Sequence, residues 1–181
     1  MRVITGIARG RRLITLEGND VRPTSDRVKE AMFSIINFDI PGADVLDLFA
    51  GSGQLGIEAL SRGAKSACFV DMAKASCDVV RENLKNMAIP AQTRVVNMNS
   101  IDFLKNVNYS CDIALLDPPY NQGMIEKTLP LLEPKMSDRG KILCEHELGL
   151  QLPEKVGRFV LAKKYKYGKI EISLYKTEED E

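Results

Sequence analysis

The apolar positions change period twice in the first forty residues. Residues 2–5 and 12–16 are short runs of β-branched residues and leucine, separated by the turn-prone basic stretch from Gly6 to Arg11, and they predict a small hairpin or extended arm. Val28, Ala31, Met32, Ile35 and Ile36 then recur at i, i+3, i+4, i+7 and i+8, the stripe of a helix with one face on a core. Pro23, Thr24, Ser25 and Asp26 stand just ahead as its N-terminal signals, and Pro41-Gly42 closes the element.

From residue 44 the pattern becomes an alternation of short apolar runs with amphipathic segments. Strands are predicted over 44–49, 67–71, 93–97, 112–117 and 141–145, with helices over 55–62, 73–87, 100–106 and 123–133 between them. Such β-α alternation implies a parallel sheet covered on both faces, a doubly wound α/β fold. Residues 158–163 and 169–176 break the pattern as two β-like runs joined by Lys164 to Gly168, an antiparallel hairpin on one sheet edge. The expectation is one domain over 1–181: arm and helix in 1–40, a Rossmann-like core of seven strands in 44–176, and an acidic tail in 177–181.

Composition adds exclusions. Four scattered cysteines with no CxxC pair, beside a single histidine, have neither the spacing of a zinc site nor that of a disulfide framework, so no metal is expected and the thiols read as core residues of a reducing cytoplasm. His146, between Glu145 and Glu147, reads as a packed or surface residue. No apolar run is long enough to span a membrane, and no signal-like apolar segment follows Met1. The net charge is zero, yet residues 1–30 carry a surplus of three positive charges and residues 153–176 a surplus of five. If the two ends meet, they form a basic face for a polyanion; otherwise they are ordinary solvated surface.

Candidate chemistry begins in the segment Asp47-Leu48-Phe49-Ala50-Gly51-Ser52-Gly53, a glycine-rich turn between the first strand and the next helix. With Gly56 it spells GxGxxG, a weak dinucleotide signal by itself. Asp47 shifts the reading, because a carboxylate there would repel a pyrophosphate but could accept from the ammonium of a zwitterionic ligand such as S-adenosyl-L-methionine. Gly51 and Gly53 would surround the same part of that cofactor, and Phe49 is a further cofactor-binding candidate. Asp71, ending the second strand, is a candidate for the ribose hydroxyls or else a cap for the next helix. Asn99 and Ser100, with Asp102 as substitute, are candidates for the adenine amino group or again simple caps.

The fourth strand runs into Asp117-Pro118-Pro119-Tyr120. Two prolines remove backbone donors, so the loop presents acceptors: the Asp117 carboxylate and the Pro118 carbonyl. Two acceptors on one aromatic amine favour a pyramidal nitrogen whose lone pair faces a methyl sulfonium. Tyr120 would stack on a base rotated out of its helix.

The order DLFAGSG, VD, DPPY resembles the class I amino-methyltransferases. The segments RVITGIARGRRL, RPTSDRVKEAMF and KYGKIEISLY together resemble the RsmD-type bacterial ribosomal RNA methyltransferases, over residues 2 to 176. That resemblance implies S-adenosylmethionine as cofactor, guanine N2 of small-subunit (16S) ribosomal RNA as target, a monomer without a membrane, and a cytoplasmic enzyme working on RNA free or within the subunit. It implies RNA contacts from the arm and the Arg22 to Arg27 segment. With the basic surplus, Arg9, Arg11, Arg12, Arg22, Arg27, Lys163, Lys164 and Lys166 become the candidate RNA-binding residues. Family members commonly have an acidic residue where Asn99 stands. Three other readings stay open at this point: an adenine-N6 methyltransferase on DNA or RNA, an NAD-dependent oxidoreductase, and a non-catalytic RNA-binding factor.

Overall fold

The computed structural model describes residues 1–16 and 25–178. The arm closes through an antiparallel bridge between Arg2 and Arg12, with Val3 N–H donating to the Arg11 carbonyl. Helix α1 (Asp26–Ile35) starts at Ser25, whose hydroxyl accepts from Val28 N–H. Pro23, Thr24 and Arg22 lie outside the described residues. The buried face of α1 is turned from the expected one: Val28, Met32 and Ile36 are inside as predicted, but Lys29 and Phe33 replace Ala31 and Ile35 as fully buried positions. Lys29 is tolerated there because Glu58 lies 3.6 Å away and the Arg2 carbonyl accepts from its ammonium. Burial lowers its pKa against the pull of Glu58.

The core follows as β1 (Asp44–Asp47), α2 (Gln54–Ser61), β2 (Ser66–Asp71), α3 (Lys74–Met87), β3 (Gln92–Asn97), α4 (Ser100–Asn106), β4 (Cys111–Leu116), α5 (Met124–Leu132), β5 (Met136–Glu147), β6 (Lys155–Val156), β7 (Phe159–Tyr167) and β8 (Ile170–Thr177). The sheet order is β3-β2-β1-β4-β5-β8-β7-β6, parallel through β5 and antiparallel beyond. Period-two alternation divides the core into two layers. Val45, Phe69, Ile113 and Leu115 face α1, α2 and α3, while Leu46, Val70, Ala114 and Leu116 face α4 and α5.

Among the described residues the sheet has eight strands where seven were expected; the addition is the two-residue β6 on the outer edge. The C-terminal hairpin is also tighter than predicted, since β7 runs on to Tyr167 and only Gly168 and Lys169 form the turn. Thr177, assigned to the acidic tail, closes β8, and Glu178 pairs with Lys155 at 2.6 Å; residues 179–181 are outside the described set. All four cysteines are buried, and burial pushes the Cys68 thiol up to about 11. No helix among the described residues is long and apolar enough to cross a membrane.

Candidate active site

Parallel strands send their C-terminal ends to one edge, and the strand order reverses between β1 and β4, which opens a crevice at that edge. The glycine loop leaves β1 and the DPPY loop leaves β4, so both candidate motifs flank the same crevice.

On the β1 side Gly51 has φ 53° and Gly53 φ 78°, left-handed conformations that glycine adopts without strain. Gly53 is also the N-cap of α2. Gly56 answers a different need: a Cβ there would meet the Phe69 ring at 2.3 Å, so its absence lets α2 lie close on β2. Asp47 is buried, and its Oδ2 accepts from Gly56 N–H at 2.9 Å while Oδ1 has no partner. Burial raises its pKa to about 7, opposed by the Gly56 hydrogen bond and reinforced by the charges of Asp117 and Asp71. An unpaired carboxylate oxygen in such a place fits a cationic ligand group better than an anionic one.

Asp71 binds backbone with both oxygens, accepting from Gly51 N–H at 2.8 Å and Ala73 N–H at 2.8 Å. It thus fastens the glycine loop to the start of α3, and its remaining lone pairs are what a ribose would use. Asn99 caps α4 by accepting from Ile101 N–H at 2.9 Å, which is the capping alternative. Ser100 is buried and its Oγ has no partner. Phe49 is half-buried against the α4 and α5 layer. Sequence reasoning passed over Met72, which is 74% exposed directly after Asp71. An exposed thioether beside a candidate ribose carboxylate is a surface for a flat ring, and a large apolar residue immediately after a strand-end acid was the signal available.

On the β4 side Asp117 is half-buried, Pro118 buried and Pro119 exposed. The Tyr120 hydroxyl donates to Glu145 Oε1 at 3.1 Å, and Asn121 N–H to Glu147 Oε1 at 3.2 Å, so alternate carboxylates of β5 fasten the loop. A cavity of about 230 Å³ lies between this loop, the start of α5 and the end of β5, lined by Pro118, Tyr120 and Glu147 among others. Its His146 is packed, with Nε2 2.8 Å from Ser173 Oγ.

The basic candidates divide. Arg9, Arg11, Arg12, Arg27, Lys163, Lys164 and Lys166 are all exposed, but not all are free of partners. Arg11 spends its guanidinium on the Met87 carbonyl at 2.6 Å, Lys164 lies 3.8 Å from Glu171, and Lys163 sits over the Tyr165 ring at 5.0 Å. Val3 and Leu13 of the arm and Tyr165, Tyr167 and Ile170 of the hairpin belong to one core layer, so the arm shares that face of the sheet with Lys163, whereas period-two alternation turns Lys164 and Lys166 to the other face.

The chain matches, over residues 1–176, the model of the family described as conserved hypothetical protein 95. It is similar to ribosomal RNA small subunit methyltransferase D of Escherichia coli strain K12, with 37% identity over 98% of this chain and 90% of that one. It is equally similar, at 37% identity over 97% and 98% of the two chains, to the candidate rRNA methyltransferase YlbH of Bacillus subtilis. Among solved structures, the candidate methyltransferase YhhF of Escherichia coli superposes with a TM-score of 0.85 at 36% identity, covering 98% of each chain.

Proposed function

Since this chain belongs to the RsmD family of ribosomal RNA methyltransferases, matched from residue 1 to 176, we propose that it transfers a methyl group from S-adenosylmethionine to guanine N2 of small-subunit ribosomal RNA in the cytoplasm. The observation that carries this reading is the unpaired Asp47 oxygen, buried at the end of β1 beneath the glycine loop, across the β1/β4 crevice from the acceptor-bearing DPPY loop. That pairing supports a cationic cofactor beside an amine substrate.

When bound, S-adenosylmethionine supplies a methyl carbon already activated by a sulfonium leaving group. The chain's residues bind and aim. Asp47 receives the ammonium, Asp71 the ribose, Met72 one face of the adenine, and Ser100 Oγ its amino edge. Asp117 and the Pro118 carbonyl hold the two N–H bonds of the reacting amine, and Asp117 or water takes the proton it sheds. Tyr120, fixed by Glu145, offers its ring to the flipped base, and stacking of that kind contributes roughly 1 to 3 kcal/mol.

An oxidoreductase reading fares poorly on the same observations. The loop amides that would meet a pyrophosphate are engaged within the protein, Gly51 N–H by Asp71 and Gly53 N–H by the Ala50 carbonyl. An adenine-N6 methyltransferase would use the same acceptors, and the similarity to small-subunit methyltransferase D weighs toward guanine in rRNA. The test is to map N2-methylguanosine in ribosomal RNA from cells with and without the gene. One small-subunit guanosine should lose its methyl group in the deletion and regain it on complementation; an unchanged guanosine map overturns the assignment.

A further inference from the structure

Asn83 stands on the buried stripe of α3 with Cys77, Val80 and Met87, and none of its surface is exposed. An amide in such a position is tolerated only with its polar atoms paired. Its Oδ1 accepts from Ile14 N–H at 2.8 Å and its Nδ2 donates to the Ile14 carbonyl at 2.9 Å, so the side chain pairs with the arm as a neighbouring strand would. Nδ2 also donates to the Ser52 carbonyl at 2.9 Å, between Gly51 and Gly53.

Other groups hold the arm without touching the loop. Glu58 accepts from Ile4 and Thr5 N–H at 2.8 and 3.0 Å, and Ser61 Oγ accepts from Ala8 N–H at 3.0 Å. Gly6 lies so close to Ser61 that a Cβ would fall 1.8 Å from its carbonyl oxygen. Most of the arm is therefore docked on α2 whatever the glycine loop does. Asn83 differs because one planar amide is bonded to both. A weaker second link runs from the Ser52 hydroxyl to Met1 Sδ at 3.6 Å.

We propose that Asn83 is a positioning residue joining the RNA-binding arm to the cofactor loop, so that a ligand on either raises the affinity of the other. This rests on the functions proposed for the arm and the loop. Fixing Ile14 fixes the amide plane, and the amide plane fixes the Ser52 carbonyl and the peptide that leads into Gly53, the N-cap of α2. The order imposed by the first ligand is then order the second need not impose. Linkage makes the factor equal in both directions.

The experiment measures the dissociation constant of S-adenosylhomocysteine with and without saturating small-subunit RNA, and that of the RNA with and without saturating S-adenosylhomocysteine. In the native protein each should tighten the other by the same factor, roughly fivefold or more. Asn83→Asp keeps the acceptor for Ile14 N–H but loses both donors, and Asn83→Ser serves where the aspartate variant does not melt cooperatively. In the folded variant the factor should fall below about twofold, with both ligands still binding. A structural role alone would weaken both ligands and leave the factor intact, which overturns the proposal. A native factor of one, with both ligands bound, overturns it without any variant. Failure of the native protein to bind RNA at all strikes the proposed function itself, and the link falls with it.

Discussion

The two sides of the crevice are built in opposite ways. On the β1 and β2 side the loop satisfies itself: Asp71 takes Gly51 and Ala73 amides, Asp47 takes Gly56, Asn99 takes Ile101, and the unpaired buried oxygens include Asp47 Oδ1, Gln54 Oε1 and Ser100 Oγ. On the β4 side a donor-poor proline loop is fastened from behind by Glu145 and Glu147, and the exposed cations stand apart from it, on the arm and the hairpin. The contrast separates two kinds of recognition. A preorganised cradle with specific unpaired atoms selects a small ligand by geometry, whereas solvated charge gathers a polyanion by a field that salt screens.

The sharpest way to break this contrast is Asp117→Ala. Its proposed work is confined to the reacting nitrogen, so the loss belongs in the chemical step and not in cofactor binding. Removing one preorganised polar group costs about 2 to 4 kcal/mol, roughly 30- to 1000-fold in rate. Single-turnover transfer to small-subunit RNA with both ligands saturating measures it, and Asp117→Asn, which keeps one acceptor, should fall between. A native rate in a folded Ala variant would make the DPPY loop a structural turn.

A smaller effect sharpens the cofactor side. Asp47, its pKa raised to about 7, keeps its proton in the folded ligand-free protein at pH values where the unfolded chain has lost it. From this group, stability falls as pH rises from the ordinary carboxylate range to about 7. A bound ammonium reverses the preference and expels the proton. Affinity for S-adenosylmethionine should therefore climb by up to about tenfold per pH unit below neutrality, level off, and weaken again above about pH 8 as the ligand's amino group deprotonates. Calorimetry in buffers of different ionisation enthalpy counts the proton released. Asp47→Asn should flatten the acid limb; an acid limb that survives in this variant removes Asp47 from the ammonium site.

What the sequence disclosed follows the same division. The glycine loop, the strand-end acids and DPPY were readable because each is a local motif at the end of a strongly periodic strand. Long-range packing hid other features. Lys29 breaks the apolar stripe of α1 and is buried only because Glu58, on another helix, meets it. The length of β5 was obscured by polar Ser137, Asp138 and Arg139, where the β4–β5 register shifts between the Cys111 and Ile113 pairs. Lys164 to Tyr167 read as a link because the β7–β8 ladder slips between Leu161 and Lys163 and interrupts the alternation just ahead of them. Nothing local in the sequence marks Asn83, since its partners lie 31 and 69 residues away.

The mildest expected effect tests the solvated side. Arg9, Arg11 and Arg12 are all exposed, but Arg11 is committed to the Met87 carbonyl. A cation that neutralises a phosphate releases condensed counterions, so removing one such cation should flatten the dependence of log affinity on log salt by roughly 0.7 to 0.9. Replacing Arg9 and Arg12 together by Gln should lower that slope by roughly 1.4 to 1.8 and leave S-adenosylhomocysteine binding unchanged in the absence of RNA. Arg11→Gln should lower the melting temperature and move the slope less, because its charge is partly spent inside the protein. Filter binding of small-subunit RNA across a salt series gives all three slopes. If the double variant keeps the native slope, these two arginines are ordinary solvated surface, and the RNA footprint must then be sought on Arg27 and the hairpin's Lys163, Lys164 and Lys166.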